Sequence, residues 1–249
     1  MTSPGIAISL FMLGVATSFV GTNTGGGSLI TIPGMIALGL PSTSAIASAR
    51  MSSVGSSLAG LRQFHKQGKV DYKLAWPAAI LSVLGATIGA LILVHVPEVI
   101  LIKLVGLLTL ALLALSYLIK KHLKLGTEPS KIKKTVGYGL FLFTSMIGGF
   151  FGGQGILTTP IFVIFFHKTY SESAGTRKIV TLVTAITSAI VYGFHGLINW
   201  WAVAALMSGT ILGSILGANY ALKKGDAWME KLFNMVAVLL AIKLMFMTL

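Results

Sequence analysis

The sequence predicts an all-α polytopic membrane protein made of two inverted-topology repeats. Each repeat is read as a Gly/Pro-broken helical hairpin followed by three spanning helices. Three observations predict this. Hydrophobic residues make up 55% of the 249 and charged residues only 10%, with no cysteine, whereas ordinary globular domains carry about 25% charged residues. A glycine cluster running into a proline occurs twice, at Gly25–Pro33 and Gly152–Pro160, 127 residues apart. Sixteen of the 19 Lys and Arg fall in four short stretches, at 62–73, 120–134, 168–178 and 223–231.

Apolar runs follow one another along the chain at roughly 5–22, 28–41, 43–61, 74–97, 98–119, 135–151, 155–167, 179–198, 200–222 and 227–249. A span needs about 20 predominantly apolar residues, and several runs reach that length. The first run has no Lys or Arg before it, so it lacks the charged leader of a signal peptide and is expected to be part of the fold. Between the first and second runs lie Gly25, Gly26 and Gly27, and between the sixth and seventh lie Gly152, Gly153, Gln154 and Gly155. Glycine costs about 1 kcal/mol in a helix and proline about 3, so both clusters are expected to break the helix. Broken backbone at membrane depth survives only where protein buries it or a polar cavity meets it.

The duplication extends beyond the glycines. At an offset of 127, Ser44, Ala47 and Arg50 match Ser171, Ala174 and Arg177; at 128, Gly68, Gly85 and Gly89 match Gly196, Gly213 and Gly217. The expected divisions are 1–119 for the first repeat, 120–134 for a basic linker and 135–249 for the second repeat. The basic stretch 62–73 corresponds to 190–201, which has no Lys or Arg, and the neutral turn 94–97 corresponds to Leu222–Gly225 with its two lysines. Equivalent loops of opposite charge belong on opposite faces under the positive-inside rule, which an inverted repeat satisfies. With every basic stretch cytoplasmic, 43–61, 74–97, 98–119, 179–198, 200–222 and 227–249 cross singly. The pairs 5–22 with 28–41 and 135–151 with 155–167 must each begin and end on one side.

These doubled glycine runs with a proline about six residues on, in two related halves of small-residue-rich helices, resemble the TauE/SafE family of sulfite exporters. The resemblance covers essentially the whole chain. It implies an integral membrane transporter linked to export or uptake of sulfite, sulfoacetate and other sulfur-containing anions. One departure stands out: Gln154 occupies the position of Gly27, so the two sides of a site there would differ.

The chemistry expected at the breaks is anion binding. A helix beginning after Gly27 or Gly155 presents free N–H groups and the positive end of its dipole. The candidate substrate-binding residues are Asn23, Thr24, Gly25, Gly26, Gly27, Ser28 and Arg50 from the first half. The second half supplies Gly152, Gly153, Gln154, Gly155, Thr158 and Arg177. Both arginines fall within apolar helices, where charge is costly and usually functional; the alternative is that both snorkel to the interface, which Lys178 beside Arg177 supports for that copy. Gly85, Gly89, Gly213 and Gly217 read as helix-packing positions. Trp76, Trp200, Trp201, Trp228, Tyr72 and Tyr117 read as an interfacial aromatic belt.

Glu172 is the acidic residue expected nearest membrane depth, and His65, His167 and His195 read as boundary residues. Nothing resembles a P-loop or a catalytic constellation, so no enzyme activity, cofactor or metal site is expected. The expected function is secondary transport of sulfite or an organosulfonate across the cytoplasmic membrane by alternating access. An anion channel with opposed half-helices is the alternative. The expected partners are the anion, the lipid bilayer and a coupling proton or cation, not nucleic acid; the composition is compatible with an oligomer.

Overall fold

A computed structural model describes residues 4–101, 107, 131–229, 231, 232 and 235. The expected helix 98–119, beyond its first turn and apart from Leu107, the linker 120–134 up to residue 130, and most of 227–249 lie outside the described residues, as does Tyr117. Eight helices are named here: α1 (Pro4–Thr24), α2 (Ser28–Ala37), α3 (Ser42–Lys66), α4 (Tyr72–His95), α5 (Lys131–Phe150), α6 (Gly155–Phe166), α7 (Tyr170–Phe194) and α8 (Trp200–Lys224). The described residues contain no strand. α1, α4, α7 and α8 are long and apolar enough to cross a membrane. The chain is an all-α polytopic membrane protein.

The helix limits follow local chemistry. Asp71 and Asn199 cap α4 and α8 through their side chains. A reciprocal Thr169/Glu172 capping box starts α7, nine residues before the apolar run expected from 179. Hydropathy misses this beginning because Ser171, Ser173, Thr176, Arg177 and Lys178 are polar yet buried. Glu172 therefore serves at a helix entrance rather than at membrane depth. The prolines also differ from expectation. Pro33 lies inside α2 and Pro160 inside α6, so the glycine runs alone interrupt the chain.

The helices share two common ends. At one, Phe64, Val70, Ala174, Leu222, Trp228 and Met229 pack together, and Lys168 Nζ pairs with Asp71 Oδ2 at 2.7 Å. The basic residues of 62–73, Lys168 and Lys223–Lys224 gather here. At the other, Ile6, Leu38, Leu40 and Trp201 line one small pocket, the Asn199 N–H donates to Ser48 Oγ, and Glu98 accepts from the first N–H groups of α3. α1 begins and α2 finishes at this neutral end. α5 and α6 meet at the basic end, where Tyr138 stacks edge-on against Phe166 at 5.0 Å. Each hairpin thus returns to the end where it started.

Packing between the halves is reciprocal. α1 rests chiefly on α8, and α4 chiefly on α5. The smallness of Gly85 and Gly89 admits the carbonyls of Leu142 and Met146; Gly213 and Gly217 admit those of Val15 and Phe19 in the same way. These are equivalent residues at offsets of 127 and 128. The four glycines are helix-packing positions.

Large apolar side chains face outward, while small residues and hydroxyls face inward. On α4, Trp76, Ile80, Leu84 and Ile88 are exposed at four-residue spacing, while Ser82 is fully buried and accepts from Ser145 Oγ at 2.6 Å. Trp200 and Tyr72 are likewise exposed at helix starts, as an aromatic belt requires. Trp201 packs against the core and Trp228 packs on Tyr220.

Candidate functional site

The two glycine breaks touch at the centre of the bundle. Gly25 has φ +83° and lies directly on the Gly155 backbone, while Gly152, with φ +85°, lies against Ser28. Gly25 corresponds to Gly152, and Ser28 to Gly155, so this contact is reciprocal too. A Cβ at Gly25 or Gly155 would overlap the other strand of the contact and the Arg177 Nη1 atom. Glycine is required here because backbone meets backbone with a guanidinium beside it.

After each break a short helix begins. Its first internal bonds run from Leu29 N–H to Gly26 O and from Ile156 N–H to Gly153 O, so the Ser28 and Gly155 N–H groups stand at the open helix ends. Neither Gly27 nor Gln154 gives a side-chain cap. Gln154 folds back over Gly148, where any side chain would collide with its Oε1, and Nε2 donates to Thr184 Oγ1 at 2.8 Å.

A cavity of about 70 Å³ lies between these tips, the last turns of α1, the middle of α3 and the first halves of α7 and α8. Gly25, Gly27, Ser28, Arg50, Gly153, Gln154, Gly155 and Arg177, expected from the sequence, line it. Asn23, Thr24, Gly26, Gly152 and Thr158 do not. Asn23 Nδ2 is held by the Phe19 and Gly217 carbonyls. Thr24 and Thr158 donate to carbonyls of their own turns. Gly26 and Gly152 stand behind the cavity in the crossing.

Three cations share this space. Arg50, Arg177 and Lys178 are 1%, 3% and 6% exposed, so none of them snorkels to the interface, the alternative weighed for the arginines. Arg50 Nε donates to Ser188 Oγ at 3.0 Å, and Arg177 Nη2 to the Thr22 carbonyl at 2.9 Å. Lys178 Nζ donates to Thr22 Oγ1 at 3.1 Å and Ser214 Oγ at 3.4 Å. Arg50 Nη2 and Arg177 Nε are buried without an acceptor among the described residues. Among the described residues no carboxylate lines the cavity: Asp71, Glu98, Glu172 and Asp226 all sit at helix ends. Even after relaxation, an uncompensated buried ion costs several kcal/mol.

Sequence reasoning missed Lys178 as a cavity residue because its neighbour made it look interfacial. It also missed the hydroxyl lining, including Thr17, Thr22, Thr31, Ser53, Ser57 and Thr210. Hydroxyls in small-residue helices carry no distinguishing pattern. The usable signal was the offset itself, which sets Lys178 opposite Met51.

The chain is similar to known membrane transporters along nearly its whole length. The profile of the family described as Sulfite exporter TauE/SafE matches residues 10–244. A probable membrane transporter protein of Haemophilus influenzae is 27% identical over 241 residues, covering 95% of this chain and 93% of that protein. The probable membrane transporter protein ORF9 of a Sinorhizobium species is 26% identical, covering 95% and 91%. The probable membrane transporter protein YfcA of Escherichia coli K12 is 22% identical, covering 99% and 92%. No solved structure matches.

Proposed function

The chain belongs to the sulfite exporter TauE/SafE family of membrane transporters, and from that premise we propose that it is a secondary carrier of small sulfur oxyanions, binding them between the two glycine breaks. The observation that carries the reading is the cavity with Arg50, Arg177 and Lys178 on its walls and no carboxylate. Guanidinium groups bind oxyanions through parallel N–H donors, and the open ends of α2 and α6 add backbone donors and dipole. At about 10–15 Å³ per water-sized group, 70 Å³ has room for sulfite or the smallest organosulfonates.

The carrier mechanism we propose is alternating access by residues 1–119 and 135–249 acting as inverted repeats about this site. Reciprocal contacts and the gathering of basic loops at one end support that reading. The same loops favour a cytoplasmic membrane location with the basic end inside. A coupling proton or cation would set the direction of net movement. Labelled sulfite counterflow in proteoliposomes tests the proposal. Saturable exchange driven by internal unlabelled sulfite is expected. Flux that neither saturates nor exchanges would replace the carrier with a channel.

A further inference from the structure

We infer that Lys178 sets the valence preference of the cavity, favouring dianions over monoanions of the same shape. This rests on the reading of the cavity as the anion site. The two arginines occur in both halves at one offset, so they form the duplicated part of the site. Lys178 does not: its counterpart is Met51, and the third cation belongs to one half alone.

Its placement is built rather than incidental. The ammonium lies between α1, α3 and α8, with Thr22 and Ser214 as its acceptors. Gly60 of α3 makes the room, since a Cβ there would come within 2.6 Å of Lys178 Cε and 2.9 Å of Nζ. Thr22, Gly60 and Ser214 bring no charge, Arg177 is its neighbour on α7, and Arg50 shares the cavity. Among the described residues lining the cavity, every charge beside Lys178 is therefore positive. Coulomb attraction scales with the ligand's charge, so a third cation strengthens binding of a dianion twice as much, in logarithmic terms, as binding of a monoanion.

Removing the ammonium leaves no stranded partner. Thr22 Oγ1 donates to Ser214 Oγ at 2.9 Å, and Ser214 Oγ donates to the Ser56 carbonyl at 2.7 Å. Lys178→Met, which installs the residue of the other half, should fold; Lys178→Arg restores the charge.

The test titrates the purified full-length protein in detergent with sodium sulfate and sodium methanesulfonate, both tetrahedral, by calorimetry. A charged hydrogen bond of ordinary strength corresponds to roughly tenfold or more in affinity. In K178M, methanesulfonate affinity should fall roughly 10-fold and sulfate roughly 100-fold, with the sulfate preference recovered in K178R. Equal losses for both anions in K178M, or none, would overturn the assignment. If Arg50→Ala still abolished binding of both, the transport-site reading would survive that failure. If the wild-type protein bound neither anion, the site reading and this inference would fall together.

Discussion

Substituting alanine at the crossing of the two breaks separates backbone strain from steric contact. Gly68 has φ +64° and nothing within 4 Å of an added Cβ, so Gly68→Ala reports the left-handed backbone alone, about 1–2 kcal/mol. Gly155 opens a helix, and its added Cβ would lie 2.6 Å from Gly25 Cα and 2.8 Å from Gly25 O. Gly155→Ala thus reports overpacking alone, about 1–3 kcal/mol. Gly25→Ala combines φ +83° with the same backbone collision, and should cost about 2–5 kcal/mol. Backbone cannot swing aside as a side chain can, so neither half yields without moving Arg177. Denaturant unfolding of the three variants in mixed micelles measures the costs, and sulfite counterflow measures the function. If Gly25→Ala and Gly68→Ala unfolded alike, the two breaks would not be in contact and the crossing would be wrong.

Arg50→Ala strips a buried cation from the cavity and should reduce sulfite counterflow at low concentration at least about tenfold; unchanged uptake would remove Arg50 from the site. Gly89→Ala and Gly217→Ala, each meeting a carbonyl of the opposite half, should destabilise by about 1–3 kcal/mol apiece, a symmetry that unequal unfolding shifts would refute. At the basic end, burial acts to raise the Asp71 carboxyl. The Lys168 hydrogen bond, the Leu74 N–H, the Lys168 charge and the Lys73 N–H outweigh it and hold that carboxyl below its ordinary range. A depressed carboxylate stabilises above its unfolded pKa of about 3.9 and loses that contribution as pH falls through the folded value. Asp71→Asn should therefore be less stable at neutral pH, by no more than about 1 kcal/mol for so exposed a pair. Its pH–stability curve should converge with wild type in acid, and a gap that persisted there would show that the charge is not the cause.

The breaks were legible because glycine clusters in apolar sequence have few innocent explanations, and the offset tied Arg50 and Arg177 to them. The helix-packing role of Gly85 and Gly213 was legible for the same reason. What escaped was direction. Asn23 and Thr24 stand beside Gly25 in sequence, yet the last turn of α1 aims them at α8 and at their own carbonyls. Lys178, next to Arg177 in the chain, was not among the site candidates, whereas the close approach of Gly60 gives it an interior berth. The entrance of α7 was legible in Thr169 and Glu172 as a capping pattern, but hydropathy alone passes over it.

The central claim is that an oxyanion sits between the two tips in contact with both arginines. Anomalous diffraction from crystals soaked in selenite, the heavier relative of sulfite, locates such an ion directly. One selenium peak is expected in the cavity, with its oxygens within hydrogen-bonding distance of Arg50 and Arg177. A peak elsewhere in the bundle, with the arginines bonded only to protein, would contradict it.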